Sequence, residues 1–104
     1  MAKRYFEDLA EGERLNCKPV LITKERMIDF AREFDPWPFH TDEDAADDSI
    51  FAGIIASSLH TISACTKVVV EAQQEVAVLS GVGGIDEVKM CNPVRPGDIL
   101  SVDA

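Results

Sequence analysis

Asp35 and His40 are the residues of this chain whose types and spacing could do acid–base chemistry. A carboxylate five positions before an imidazole can orient the ring and raise its basicity. Such a pair can take a proton from water and give it back. The residues between them, Pro36-Trp37-Pro38-Phe39, are prolines and aromatics, a stiff apolar setting for two polar groups. The spacing also fits a helix-end carboxylate beside a half-buried turn histidine. His60 follows Ser57 by three and shares a helix face with Ser57, Ala56 and Ala64, so it reads as a satisfied core or interface histidine. The acidic run Asp42, Glu43, Asp44, Asp47 and Asp48 lacks the glycine and terminal glutamate of a calcium loop. It reads as a solvated helix face, and no metal is expected. Gly81-Val82-Gly83-Gly84 lacks the spacing of a phosphate-cradling loop and reads as a strand kink or turn, and no cofactor is expected.

The elements that must position the pair follow from periodicity. Between Arg14 and Ile22 the residues Leu15, Cys17, Val20, Leu21 and Ile22 predict a strand, which Pro19 places near an edge or bulge. Thr23 is a helix N-cap, and Met27, Phe30, Ala31 and Phe34 make one apolar helical face. Asp35 precedes Pro36, which drives it out of the α region and stops the helix. Residues 35–40 then read as a rigid loop. Thr41 or Asp42 can cap a short acidic helix through Ala46. From Ile50, or Ile54, to Gln74 there is no proline and apolar groups fall on every side. This predicts one long helix enclosed by other elements. Val76, Val78, Val82 and Val88 suggest strands, and Pro93, Pro96 and Gly97 a turn before a last strand at Ile99–Val102. The predicted fold class is α+β, a long central helix wrapped by a curved antiparallel sheet.

Composition bounds the function. The 104 residues make one domain, 1–104, with 46% hydrophobic and 28% charged residues, an ordinary globular balance. Nineteen acidic residues against ten basic ones give a net charge of −9, which argues against nucleic acid as a partner. The apolar stretch Ile50–Leu59 is too short to span a bilayer, and no apolar block follows Lys3 and Arg4 as in a signal peptide. A cytoplasmic protein without membrane contact is expected. Cys17, Cys65 and Cys91 are odd in number with no C-x-x-C spacing, so they read as buried free thiols.

The segment from Phe30 to Asp42, followed by Phe51-Ala52-Gly53-Ile54-Ile55-Ala56-Ser57, resembles the MaoC-like dehydratases, the group of (R)-specific enoyl-CoA hydratases with a hot-dog fold. Asp35, Pro38, Phe39, His40 and Phe51 match the family pattern in type and spacing, and Asn92-Pro93-Val94-Arg95-Pro96-Gly97-Asp98 resembles the turn before a sheet strand. The resemblance implies that Asp35 and His40 activate one water for addition to an enoyl thioester. It implies that a backbone N–H at the start of the long helix polarises the thioester oxygen, with Ser57, Ser58, Leu59 and Trp37 around the substrate. An acyl-CoA substrate and a homodimer or higher homo-oligomer are the implied partners. The chain departs from the family in carrying Ser57-Ser58 where relatives have His-Gly or Ser-Gly, and Leu59 where one branch has Trp. It also stops in the first strand after the Pro-Gly-Asp turn, where members continue, which suggests a C-terminally short form whose sheet edge needs a partner. The alternative to a hydratase is a hot-dog binding or assembly module without turnover. A thioesterase is a third option.

Overall fold

The computed structural model describes residues 3–76 and 83–104. After a single 3-10 turn at Phe6–Asp8 come strand β1 (Val20–Leu21) and helix α1 (Lys24–Phe34). The short helices α2 (Pro38–Thr41) and α3 (Glu43–Asp47), the long helix α4 (Ser58–Glu71) and strand β2 (Ile99–Leu100) follow.

Thr23 caps α1 as expected: its hydroxyl accepts the Arg26 N–H at 3.3 Å. Met27 and Ala31, four apart on the apolar face, are fully buried. The helix ends where Pro36 forbids another turn, with the Asp35 N–H donating to the Ala31 carbonyl at 2.8 Å. Residues 38–41 are not a loop but a helical turn. Pro38 sits at its first position, where a missing N–H costs nothing and a fixed φ favours helix. The Asp42 side chain then accepts from Asp44 and Ala45 N–H groups and starts α3.

The sheet is small. β1 and β2 are antiparallel with Val20 opposite Leu100 and Leu21 opposite Ile99. A further bridge joins Asn16 to Asp103. Four steps from Asn16 to Val20 face three from Leu100 to Asp103, so one extra residue is accommodated around Cys17–Pro19. That is a bulge, placed where proline cannot donate to a ladder. The strand expected through Arg14–Ile22 is thus broken by its own proline. The strands suggested by Val76 and Val88 do not form: Val76 makes only an isolated bridge with Arg4, and residues 83–93 are exposed and irregular. They have no partner backbone to pair with among the described residues. Val78 and Val82, and Gly81 of the glycine cluster, lie outside the described residues.

α4 differs from its expectation at both ends and on its flank. Ala52 (φ 53°) and Gly53 (φ 154°) turn the chain, and residues 54–56 run extended. Their backbone bonds go sideways: Ile55 N–H to the Phe39 carbonyl at 3.2 Å, Ala56 N–H to that of Val94 at 2.9 Å. The helix therefore begins after Ser57, and it ends at Glu71 rather than Gln74. Val68-Val69-Val70 are helical, as expected. The helix is not enclosed: Val68 is its one buried residue, while Leu59 and Val70 are about half exposed. Its inner side meets the core of Ile22, Met27, Ala46, Ile54, Ala56 and Val94 through Ala64.

Candidate functional site

α1 delivers Asp35 at its C-terminal end, and α2 delivers His40. The α1–α2 connection is drawn tight by main-chain bonds, with Trp37 N–H on the Asp35 carbonyl at 2.8 Å and His40 N–H on the Trp37 carbonyl at 2.9 Å. The two side chains converge: Asp35 Oδ2 and His40 Nε2 are 3.5 Å apart. His40 is 5% exposed, and its aromatic neighbour Phe39 stands edge-on at 4.6 Å between ring centres. Phe39 in turn packs on Phe51 at 5.2 Å, which closes one wall of the pair.

The imidazole tautomer follows from chemistry. His40 Nδ1 lies 2.8 Å from the Ile55 carbonyl oxygen. A carbonyl only accepts, so Nδ1 carries the hydrogen and the neutral ring presents a lone pair at Nε2. A lone pair facing a carboxylate oxygen leaves no direct hydrogen bond. A water oxygen about 2.8 Å from each has no room between Nε2 and Oδ2 but can sit to one side of them and direct a hydrogen toward each.

Ser57 joins the cluster through Asp35. Its side chain is wholly buried and its hydroxyl donates to Asp35 Oδ2 at 2.7 Å. The same hydroxyl oxygen accepts the Leu59 N–H at 3.2 Å, as the N-cap of α4. The Ser57 hydroxyl is thereby placed to orient the carboxylate. The cap leaves the N–H groups of Ser58 and His60 without a main-chain or side-chain acceptor in this turn. They are donors at the positive end of α4, suited to an oxygen carrying negative charge. Ser58 and Leu59 stand exposed on that first turn, and Ser58 faces a cleft of about 320 Å³ shared with Phe51 and Asn92. Trp37 is 61% exposed and stacks parallel to Phe39 at 6.2 Å. The structure joins Asp35, His40 and Ser57 side chain to side chain, Trp37 through its backbone, and Ser58 and Leu59 only as neighbours. Ile55, whose carbonyl sets the histidine, was missed. A backbone acceptor leaves no residue-type signal.

His60 is not the satisfied histidine of the sequence reading. Its ring stacks on Phe30 at 4.9 Å, but Nδ1 is buried with no partner. Burial, and secondarily the Arg26 charge, lower its pKa from the usual 6.5. All three cysteines are free. Cys65 and Cys17 are half-buried and Cys91 is exposed, contrary to the expected burial of all three. Among the described residues, no three His, Cys, Asp or Glu side chains gather to hold a metal ion, and no helix is long and apolar enough to cross a membrane.

Residues 6–104 match the family model described as MaoC like domain. The chain superposes on a MaoC-like dehydratase from Rhodospirillum rubrum with a TM-score of 0.76 and 37% identity, over 92% of this chain and 65% of that one. For a structure from Archaeoglobus fulgius described as a monoamine oxidase regulatory protein, the TM-score is 0.81 at 28% identity, over 95% of this chain and 69% of the other. It is also 28% identical to Protein MaoC of Klebsiella aerogenes over 96% of its own length and 30% of that protein's. The chain spans less than half the length of the curated relatives it matches. Its architecture is the α+β hot-dog arrangement of these neighbours.

Proposed function

The chain belongs to the MaoC-like domain family, a hydratase/dehydratase-type family, and from that premise we propose that it adds water to an enoyl thioester as an (R)-specific enoyl-CoA hydratase, or runs the reverse dehydration of a 3-hydroxyacyl-CoA. The observation that carries the reading is the 3.5 Å gap between Asp35 Oδ2 and His40 Nε2, with the other ring nitrogen already committed to Ile55. One water beside the two atoms is held by both as acceptors. As its oxygen forms the bond to Cβ, Asp35 takes one proton, and His40 Nε2 holds the remaining O–H. Electron density from the double bond moves to the thioester oxygen, where the Ser58 and His60 N–H groups at the start of α4 stabilise it. The proton taken by Asp35 returns to Cα, so the site ends as it began.

A direct test follows the ultraviolet absorbance of 2-enoyl-CoA thioesters of graded chain length. Loss of the conjugated chromophore with wild type, and its near abolition with Asp35→Asn, is the expected result. Absence of turnover at every chain length would sink the reading. The second reading, a binding module without turnover, is favoured by the Archaeoglobus neighbour, itself described as a regulatory protein, and by the open flank of α4. That flank, with the free edges of a two-stranded sheet, also supports self-association of the chain as a homodimer.

A further inference from the structure

A groove of about 410 Å³ lies between β1, α1 and the length of α4 from His60 to Glu71, a volume suited to a small ligand. Ile22, Ala64 and Val68 supply apolar wall. Its charge is the unusual feature. In a chain of net charge −9, the cations Lys18, Arg26 and Lys67 stand on this groove against the single acid Glu71. Glu71 is engaged by Lys67, Nζ to Oε1 at 3.8 Å. Among the described residues no carboxylate lies within ion-pair distance of Lys18 or Arg26. Two positive charges are therefore uncompensated on a groove of mixed polar and apolar lining.

His60 lines the groove one turn of α4 beyond Ser57, about 4.5 Å along the helix axis, and Ser57 in turn holds Asp35 of the acid–base pair. Its buried Nδ1 meets no partner, and an orphaned acceptor is tolerated better than an orphaned donor. The ring hydrogen is then better carried by Nε2, which makes His60 a neutral donor on a groove that also offers a guanidinium.

We propose that this groove receives the acyl end of the substrate and that this end carries a carboxylate, bound by Arg26 and His60 with Lys18 beside them. The proposal rests on the hydration reading above and narrows its substrate class. Methylene groups fit the apolar wall, and the planar Arg26 fork matches two carboxylate oxygens.

The test compares two thioesters of equal length, 2-hexenoyl-CoA and 5-carboxy-2-pentenoyl-CoA. Charge-assisted hydrogen bonds of ordinary strength predict that kcat/KM favours the carboxylated substrate by about tenfold or more. Arg26→Gln and His60→Leu should each cut that ratio by at least about threefold, mainly through KM. Equal kcat/KM for the two thioesters, or a ratio that Arg26→Gln leaves untouched, overturns the proposal while hydration itself stands. If neither thioester is turned over, the hydration reading fails, and the groove is judged by titrating hexanoate and the neutral hexanamide against the His60 imidazole signals. Shifts with hexanoate alone that vanish in Arg26→Gln support the anion groove. No hexanoate shift, or an equal shift with hexanamide, overturns it.

Discussion

His40 has one nitrogen committed before any substrate arrives, and that commitment makes the other a base. Asp35→Asn keeps the size of the side chain but removes its basicity, and His40→Ala removes the second acceptor for the water. Each should lower hydration by about 10²–10⁴-fold with the fold intact. Since both act on one water, the double mutant should be little worse than the worse single, which steady-state kinetics on the three variants will decide. Ser57→Ala tests the third member. It removes the helix cap and the hydroxyl on Asp35 together, so stability should fall by about 1 kcal/mol in urea unfolding, and kcat should fall more than KM rises. That the Asp35 and His40 side chains come together was legible from type, spacing and the stiff segment between them. The Ser57 role was not, because a hydroxyl near a helix start reads equally as cap, substrate contact or orienter until the carboxylate is placed.

α1 was fully legible, since its cap, periodicity and stop all agree on one answer. α4 was not. Apolar residues at 50–56 satisfied a helical count, but residues 54–56 are buried by main-chain pairing with Phe39 and Val94 instead. The deciding signal was the turn at Gly53, whose φ of 154° is costly for any side chain. A Cβ there would also stand 3.4 Å from Arg95 Nη1. Gly53→Ala should therefore destabilise by about 1 kcal/mol or more in denaturant unfolding, whereas an equal cost for Gly84→Ala, which meets nothing, would contradict the account. The α1–α4 contact carries a pH dependence. His60 has a folded pKa below its unfolded value, so the unfolded chain binds its proton first as pH falls. Its contribution is a loss of stability that begins below about pH 6.5 and grows until the folded ring also titrates. A thermal midpoint series between about pH 7.5 and 5 should fall less steeply in His60→Phe than in wild type, with His40 present in both.

At the scale of the whole molecule the chain is long and thin, 52 × 25 × 23 Å, with a radius of gyration of 16.5 Å against about 13 Å for a self-contained domain of this size. Exposed along it are residues 5–14, the segment 83–93 and the outer side of α4. The curved sheet expected around the helix is, among the described residues, one short pair of strands. Sequence periodicity marked those residues as apolar or strand-forming but could not say what covers them, because burial depends on backbone that local pattern does not supply. Self-association would cover them. Light scattering at micromolar concentration should give a mass of at least twice 11.4 kDa, and a single 11.4 kDa species would contradict it.

The Ile55 carbonyl has a consequence for inheritance. The group that decides where the His40 proton resides is common to every amino acid, so substitution at residue 55 can erase all trace of Ile and leave the tautomer unchanged. What cannot drift is the path of the chain through 54–56, clamped by Phe39 on one side and Val94 on the other. Two descendants could thus share the Asp35–His40 signature letter for letter and differ in chemistry, if one had lost the Val94 clamp. The memory of the reaction is kept partly in a shape that no alphabet of side chains records.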